Sequence, residues 1–331
     1  MPVSNTSSQS EETENTGTIY RHLKRPEWGC AILLSDRGGK REYQFEDGKK
    51  RVFKRAYCDM FKPVDRPLDE TKVIKKNLLT RAGRRQQAVS NTTGKAIPLN
   101  DQVEYFLDKY ENGFRDDAWI ATRRGAEGRK RLKRHREGLI EDARELLGKE
   151  HIDALLAEDK YDEVVAAMIK LANSTDLTTK RHSSSLTLIR GTGAVEVANA
   201  LRDLLYGDGE YSIRFEAFVA VLSRAVGKAP SWQLATLFAA AVHPTEHLFV
   251  KPKTTDLQAE WMAPGITMTK LPNGPTYERL REMAMNLGER LGRKNMAPGD
   301  LLDLHDFMWE TMRPKARKDI ASSGGSSKMS S

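Results

Sequence analysis

Hydrophobic residues near the N-terminus follow the two-residue period of β-strands. Residues 29–35 form an apolar run, and residues 41–46 alternate so that Tyr43 and Phe45 fall on one face. Four or five short strands in so short a stretch predict a small β-barrel of SH3 or Tudor type. We place this barrel at residues 18–66.

Two turns are predicted between these strands. The first lies at residues 36–39, which read Asp-Arg-Gly-Gly. The second is Asp47-Gly48, which predicts a two-residue type I′ hairpin because glycine accepts the positive φ that this turn requires. Residues 51–55 are then expected to return as the next strand.

The chain beyond the predicted barrel has mainly the 3.6-residue period of helices. Residues 67–136 are predicted to be a basic linker with helices, the clearest at residues 101–110, which Asn100 can cap and Gly113 can end. Residues 137–314 are predicted to form a mostly α-helical domain. Its predicted elements are a short strand at residues 247–251 and helices at residues 139–147, 152–156, 164–171, 195–205, 215–226, 232–242, 280–291 and 301–312.

Both ends of the chain have the composition of disordered segments. Residues 1–17 and 315–331 are rich in small and polar residues, so we expect both to be disordered. A chain of 331 residues suits two or three domains, because single cores stop growing near about 250 residues. The predicted fold class is therefore α+β and multidomain, with a small N-terminal β-barrel followed by a mainly α-helical region.

The composition favours a cytoplasmic protein. No apolar run approaches the roughly 20 residues that span a bilayer. The N-terminus lacks the charged start and the apolar stretch of a signal peptide. Cys30 and Cys58 are the only cysteines, so neither a disulfide framework nor a cysteine-based zinc site is expected from this chain.

Positive charge is unevenly distributed along the chain. Residues 17–136 hold 30 Lys and Arg against 16 Asp and Glu, a net charge of +14. Residues 137–331 hold 24 against 27, a net charge of −3, and residues 1–16 contribute a further −3. These values sum to the total of +8. Such asymmetry is typical of a module that faces a polyanion joined to a neutral one.

One stretch of the predicted barrel matches a known family. Residues 20–32 read Tyr-Arg-His-Leu-Lys-Arg-Pro-Glu-Trp-Gly-Cys-Ala-Ile, and residues 43–48 read Tyr-Gln-Phe-Glu-Asp-Gly. The signature His-x-x-Arg-Pro-Glu-Trp-Gly resembles the small Tudor-like domain of UvrD-type helicase C-termini and of bacterial stand-alone proteins. More loosely, the stretch is similar to the RNA polymerase-interacting domains of CarD-type regulators and of the transcription-repair coupling factor.

This resemblance implies a protein partner for the barrel. In those relatives the barrel contacts polymerase, so we expect RNA polymerase, a helicase or another repair or transcription enzyme to bind here. The barrel surface residues expected to contact the partner are Arg25, Glu27, Trp28, Lys49 and Arg51. Trp28 has two interpretations, an exposed anchor for the partner or a member of the barrel core.

A dense basic run predicts contact with a nucleic-acid backbone. Residues 129–136 are predicted to open a helix with cations on every face, an arrangement that a polyanion would relieve. The alternative is a solvated helix whose cations pair with Glu137, Glu141 and Asp142. Duplex DNA is the expected ligand and RNA the alternative. The predicted nucleic-acid-binding residues are Arg81, Arg84, Arg85, Arg123, Arg124, Arg129, Lys130, Arg131, Lys133, Arg134 and Arg136.

Three stretches of the C-terminal half partly match known catalytic or phosphate-binding motifs. The His-x-x-Glu-His spacing of His243 and His247 is that of inverted zincins, but Pro244 favours the end of a helix there. A nuclease site among the nearby carboxylates lacks the expected strand motif. Residues 190–193, Arg-Gly-Thr-Gly, lack the further glycine and the lysine of known phosphate loops, and they predict a helix-capping turn at Thr192 or Gly193.

The sequence as a whole favours a nucleic-acid-associated adaptor. We expect a basic segment that binds phosphate backbone, a barrel that binds an enzyme of transcription or repair, and no cofactor or metal. The alternative is a nuclease-type enzyme of a defence or repair system with its active site in the C-terminal domain.

Overall fold

A computed structural model describes residues 18–81, 96–125 and 130–326. The chain divides into two compact units. The first, which we name the sheet unit, comprises residues up to 96 together with residues 259–266. The second, the helical unit, comprises residues 97–258 and 267–331. The predicted basic linker is thus divided between the two units.

The sheet unit contains five antiparallel strands in the order β4-β3-β2-β1-β5. Short 3₁₀ turns at Pro26–Trp28 and Arg55–Met60 interrupt the strand succession. Together with the helices that follow, this sheet confirms the α+β class. The strands are β1 (Ile19–His22), β2 (Cys30–Arg37), β3 (Lys40–Phe45), β4 (Lys50–Lys54) and β5 (Phe61–Pro63).

The two faces of the sheet pack differently. One face carries an aromatic cluster in which Tyr43 and Phe61 stack at a centroid distance of 4.1 Å, and Tyr43 and Phe45 are fully buried as the alternation predicts. On the other face, Leu78 of helix α1 (Leu68–Arg81) packs against Ile32 and against its neighbour Leu34. Alternate apolar residues of β2 and β3 thus face the aromatic cluster. Ile32 and Leu34 face helix α1, and Leu34 lies at a bulge in β2.

Both predicted turns are present, but the type I′ signature occurs at the first turn and not at the second. Gly38 and Gly39 both have positive φ, 58° and 70°, so this two-residue loop has the backbone signature of a type I′ turn. At the second turn only Gly48 has positive φ, 85°, and the Gly48 amide donates to the Phe45 carbonyl oxygen at 3.1 Å. The predicted type I′ link at Asp47-Gly48 is therefore wrong. A three-residue loop ending in a left-handed glycine replaces it.

The helical unit consists of short, closely packed helices, as predicted for residues 137–314. A π-helix at Ile120–Arg124 and a 3₁₀ turn at Gly113–Arg115 lie among the early ones. The last residues of α11, 259–262, are counted with the sheet unit. The helices are α2 (Leu99–Leu107), α3 (Asp117–Trp119), α4 (Arg136–Leu147), α5 (Lys149–Ala157), α6 (Tyr161–Ser174), α7 (Lys180–Leu186), α8 (Thr192–Tyr206), α9 (Tyr211–Val226), α10 (Trp232–Val242), α11 (Pro252–Met262), α12 (Gly274–Gly292), α13 (Leu301–Met312) and α14 (Pro314–Ser326).

Three local predictions need correction. Helix α2 begins at Leu99 after Pro98, so Asn100 lies inside the helix and does not cap it. Helix α14 occupies most of the tail that was expected to be disordered, and its Ala316 is fully buried. Helix α8 is capped by Gly191, with a φ of 54°, instead of Thr192 or Gly193.

The predicted strand at residues 247–251 is an extended loop without a strand partner. Its backbone donors are satisfied by side chains, because the Leu248 amide donates to the Tyr277 hydroxyl at 3.0 Å. The Val250 amide donates to the Thr236 hydroxyl, also at 3.0 Å. Apolar side chains of this loop are buried in the helical core, which explains the strand-like hydrophobic pattern.

No helix in the described part of the chain combines the length and the apolar character needed to cross a bilayer.

Candidate binding sites

Two of the predicted partner-binding residues, Arg25 and Arg51, lie against the indole ring of a third, Trp28. Trp28 is half-buried and packs edge-on against Phe45, with ring centroids 5.3 Å apart. The Arg51 guanidinium lies 4.0 Å from the centroid of the Trp28 ring, and the Arg25 guanidinium lies 6.0 Å from it. We name the set Arg25, Glu27, Trp28, Lys49 and Arg51 the Trp28 cluster. Trp28 is therefore both a wall of the aromatic core and a surface element.

Ion pairs fix the geometry of the Trp28 cluster. The Arg51 guanidinium donates two hydrogen bonds to the Asp47 carboxylate, at 2.6 and 3.0 Å. These hydrogen bonds lower the pKa of Asp47. The Lys49 amide donates to the same carboxylate at 3.0 Å, and Arg25 pairs with Glu27 at 3.5 Å. The hairpin turn thus holds Arg51 against the indole, where a cation gains from the ring quadrupole.

A row of three cations crosses strands β2, β3 and β4 beside the Gly38-Gly39 turn. The strand register pairs Arg37 with Lys40 and Lys40 with Lys54. Directly paired residues of antiparallel strands project from the same face. All three side chains are exposed, and none has a carboxylate partner among the described residues. We name Arg37, Lys40 and Lys54 the cationic row.

The cationic row is an unfavourable arrangement for an isolated sheet. Like charges placed directly opposite each other on neighbouring strands destabilise the pairing. Arg55 follows Lys54 directly and is also exposed, so it adds positive charge next to the row. Sequence reasoning missed these residues because the turn was predicted at residues 36–39, which placed Arg37 inside the turn and not opposite Lys40.

The basic run of residues 129–136 has a different structure from the predicted helix. Helix α4 begins only at Arg136, and the described residues before it are not helical. Arg131 pairs with Asp142, one of the carboxylates named in the solvated-helix alternative. Lys133 donates to the Asn173 carbonyl oxygen at 2.6 Å and Arg134 to the Thr122 carbonyl oxygen at 3.2 Å. These cations therefore tie a loop to the helical unit.

Arg136 is part of a buried ion pair. Only 1% of its surface is exposed, and it donates two hydrogen bonds to Asp306 at 2.7 and 2.8 Å. A third bond reaches Asp176 at 2.7 Å. Burial opposes the charge of Arg136, but the two carboxylates outweigh it and raise the pKa of Arg136. Burial likewise opposes ionisation of Asp306, and Arg136 nevertheless holds the pKa of Asp306 below its ordinary value.

Two further predicted DNA-binding residues are also paired inside the helical unit. Arg123 donates to Glu310 at 3.1 Å, and both side chains are buried. Lys109 and Arg313 also pair with Glu310. Arg124 pairs with Asp300 at 2.8 Å and with Glu137. Helix α13 and the residue that caps it supply most of these carboxylates.

Trp309 of helix α13 is surrounded by cations. The guanidinium carbons of Arg123 and Arg313 lie 4.6 and 5.4 Å from its ring centroid, and the Lys251 ammonium lies 5.7 Å away. Burial lowers the pKa of Lys251, which has no ion-pair partner within the described residues. His305 lies one turn before Trp309 on helix α13 and is buried. Burial lowers the pKa of His305 to about 3, so its ring is neutral at pH 7.

Four predicted nucleic-acid-binding residues have no described side-chain position. Arg84, Arg85 and Arg129 lie outside the described residues, and Arg81 ends helix α1 without a described side chain. Lys130 is exposed and lacks an ion-pair partner in the described part of the chain.

The excess of positive charge belongs to the sheet unit. Residues 18–81 hold 17 Lys and Arg against 9 Asp and Glu, a net charge of +8. Residues 96–331 hold 34 of each, a net charge of zero. The remaining segments, residues 1–17 and 82–95, contribute −3 and +3. The charge of the basic run is thus balanced by carboxylates within residues 96–331.

The two histidines of the zincin-like motif form hydrogen bonds with different partners. Helix α10 ends at Val242, immediately before His243 and Pro244, as the proline predicts. His243 is hydrogen-bonded to the Leu205 carbonyl oxygen at 3.1 Å, and His247 to the Tyr277 hydroxyl at 3.3 Å. Among the described residues, no group of three His, Cys, Asp or Glu side chains could hold a metal ion.

Comparisons with known proteins assign no family to the chain. No protein-family model matches it, and neither a curated protein nor a solved structure gives a match. Function is therefore inferred from the geometry of the two units.

Proposed function

We propose that this chain is a nucleic-acid-associated adaptor whose sheet unit binds the phosphate backbone of duplex DNA through the cationic row. The observation that carries the proposal is the register that aligns Arg37, Lys40 and Lys54 on one face without a carboxylate partner in the described structure. A phosphate backbone relieves the repulsion within such a row and releases condensed counterions.

The binding mode is expected to be independent of base sequence. Lysine and arginine contacts to phosphate position a protein on the duplex but carry no sequence information. The net charge of +8 in residues 18–81 adds long-range attraction to the contacts of the row. Lys130, Lys133 and Arg134 stay proposed contacts of the helical unit, since none of them pairs with a carboxylate among the described residues. Arg81, Arg84 and Arg85 also stay proposed contacts.

We further propose that the sheet unit is an SH3- or Tudor-like barrel that binds a protein partner through the Trp28 cluster. The strand order, with β5 beside β1, and the aromatic core on one face of the sheet support this fold. The resemblance of residues 20–32 favours RNA polymerase or another enzyme of transcription or repair. An indole flanked by Arg25 and Arg51 suits an acidic surface on that partner.

The test of DNA binding uses the full chain and a fluorescein-labelled duplex of random sequence. Anisotropy is measured over a range of salt concentrations for wild type, for R37Q/K40Q/K54Q and for a matched control, K294Q/K315Q/K318Q. The control removes three exposed cations of the helical unit. The row variant should lose at least about tenfold in affinity, and its salt slope should fall by about 2.7, since each phosphate contact contributes about 0.9.

The outcomes of this experiment are distinct. Equal affinity of the row variant and wild type would show that the cationic row is not part of the DNA-binding surface. An equal loss in the control would mean that only net charge matters. Tighter binding to duplex RNA than to duplex DNA would shift the proposed ligand to RNA. Circular dichroism of each variant checks that the fold is intact.

The partner surface is tested separately with purified bacterial RNA polymerase. Arg25→Glu reverses a charge beside Trp28, whereas Lys72→Glu makes the same charge change on the exposed face of helix α1. Arg25→Glu should weaken polymerase binding and Lys72→Glu should not. If both variants bind as wild type does, the Trp28 cluster is not the polymerase contact.

A further inference from the structure

The helical unit contains a cavity whose charged lining is entirely positive. Its volume is about 330 Å³, and it lies where helices α7, α9 and α10 meet. Cavities of roughly 300–1,000 Å³ hold small-molecule ligands. Arg181, Lys228 and Lys270 line it, and no carboxylate does. This cavity belongs to neither the cationic row nor the Trp28 cluster.

The three cations of the cavity are available for a ligand. Arg181, Lys228 and Lys270 are exposed, and none forms an ion pair with any described residue. Elsewhere in this unit, Arg123, Arg124, Arg131 and Arg136 all pair with carboxylates. Converging cations without an internal counter-charge favour an anionic ligand.

Two polar side chains, His182 and Ser231, also line the cavity. The Thr179 amide donates to His182 Nδ1 at 3.4 Å, and burial together with Arg181 lowers the pKa of His182. The neutral ring then carries its proton on Nε2, which can donate to a ligand. Ser231 caps helix α10 by accepting from the Leu234 amide at 3.2 Å.

The start of helix α10 adds partial positive charge. The backbone amides of Trp232 and Gln233 have no acceptor among the described residues, as expected for the first turn of a helix. Unpaired amides and the helix dipole favour phosphate groups at such a position. Ser231 and Leu234 of this turn line the cavity together with the three cations and His182.

We propose that this cavity binds a small phosphate monoester of about the size of a mononucleotide. Its phosphate would lie among Arg181, Lys228 and Lys270, where charge-assisted hydrogen bonds are strong. The rest of the ligand would pack against the apolar wall formed by Leu222, Val226 and Leu234. The volume of the cavity limits the ligand to a small molecule.

Isothermal titration calorimetry of the full chain tests the proposal with adenosine monophosphate as the probe. Adenosine tests the phosphate requirement, and inorganic phosphate tests competition. We expect adenosine monophosphate to bind, inorganic phosphate to compete with it, and adenosine to bind at least tenfold more weakly. K228Q/K270Q should weaken the nucleotide at least tenfold, and the exposed control K294Q should leave it unchanged.

A second variant separates the cavity from diffuse surface charge. Ala229→Tyr places a bulky ring at an exposed position of the cavity wall while every cation is kept, so it should also abolish binding. The proposal is overturned if no probe binds or if adenosine binds as tightly as its monophosphate. It is also overturned if either cavity variant binds the nucleotide as wild type does. Circular dichroism confirms that both variants keep their helical content.

Discussion

The sheet unit and the helical unit use their cations in opposite ways. In the helical unit, Arg123 and Arg136 are buried and meet carboxylates of helix α13. In the sheet unit, Lys40 faces two other cations across the strands and meets no carboxylate among the described residues. Residues 37–55 of the sheet unit and residues 123–136 of the helical unit are both rich in Lys and Arg. The density of positive charge therefore does not distinguish a structural cation from a binding cation, whereas the spatial partners of each charge do.

Helix α13 explains why Arg123, Arg124 and Arg136 are directed into the helical unit. Asp303, Asp306 and Glu310 are spaced at i, i+3 and i+7, so they share one side of the helix. A carboxylate-bearing side of a buried helix requires cations from its neighbours, because an unpaired buried charge is costly. Arg123, Arg124 and Arg136 supply them.

The largest expected effect is the loss of stability on replacing Arg136. Arg136→Met leaves Asp306 buried without its partner, which should lower the free energy of unfolding by roughly 3–5 kcal/mol. Arg131→Gln is the matched control from the same run, because Arg131 pairs with Asp142 at a partly exposed site. It should cost less than about 1 kcal/mol. Urea denaturation followed by circular dichroism at 222 nm measures both.

A double variant tests the cause of that loss. R136M/D306L replaces the buried pair with apolar side chains, so it should recover much of the stability that Arg136→Met loses. If Arg136→Met costs no more than Arg131→Gln, the basic run is not structural. The contrast between the two units would then fail.

The sequence predicts the positions of most helices but not the network that joins them. Helix α10 and helix α13 have the predicted bounds, because their apolar positions repeat with a clear helical period. The acidic side of helix α13 has no such signal, since carboxylates at these spacings also occur on solvated helices. Helix α7 was missed because its sequence, Lys-Arg-His-Ser-Ser-Ser-Leu, is almost entirely polar.

In the sheet unit, one turn decides which residues reach the surface. A two-residue loop at Asp47-Gly48 would pair Tyr43 with Val52, whereas the observed loop pairs Tyr43 with Arg51. A register change of one residue exchanges the two faces of a strand. Phe53 therefore joins the aromatic cluster, while Val52 is exposed. The cationic row depends on this register, so the predicted hairpin geometry could not reveal Lys54 as a neighbour of Lys40.

A rise in pH is expected to have an intermediate effect on the free energy of unfolding. Burial raises the pKa of Asp303 to about 6, against the opposing effect of Arg124, from an ordinary value of 3.8. The folded state thus binds a proton more tightly than the unfolded state. The resulting stabilisation is complete below pH 3.8 and is lost as the pH rises through about 6. The loss amounts to roughly 2–3 kcal/mol, at about 1.4 kcal/mol per pKa unit.

The difference between two pH profiles isolates this contribution. Asp303→Asn should remove the decline in unfolding free energy between pH 4 and 6, whereas Asp142→Asn, at a partly exposed site, should keep it. Urea denaturation at several pH values measures the profiles. Parallel profiles for wild type and Asp303→Asn would show that Asp303 is ionised throughout, as a salt-bridged carboxylate would be.

The smallest expected change in stability is a gain, whereas the changes above are losses. It tests the cationic row directly. Lys40→Glu converts two repulsive cross-strand pairs, with Arg37 and Lys54, into attractive ones. Each such pair contributes roughly 0.2–1 kcal/mol, so the sheet unit should become slightly more stable. Thermal unfolding monitored by Trp28 fluorescence, with the other four tryptophans replaced by phenylalanine in every protein compared, reports on this unit.

Lys50→Glu provides the control, because it changes the net charge equally but faces Gln44 instead of a cation. It should not raise the melting temperature. Lys40→Glu should at the same time weaken DNA binding in the anisotropy assay, because a carboxylate in the row repels phosphate. A residue whose replacement stabilises the fold and harms binding is retained for function. If Lys40→Glu lowers stability as much as Arg136→Met does, Lys40 is a structural cation, like the arginines that pair with helix α13. The cationic row would then not be a binding surface.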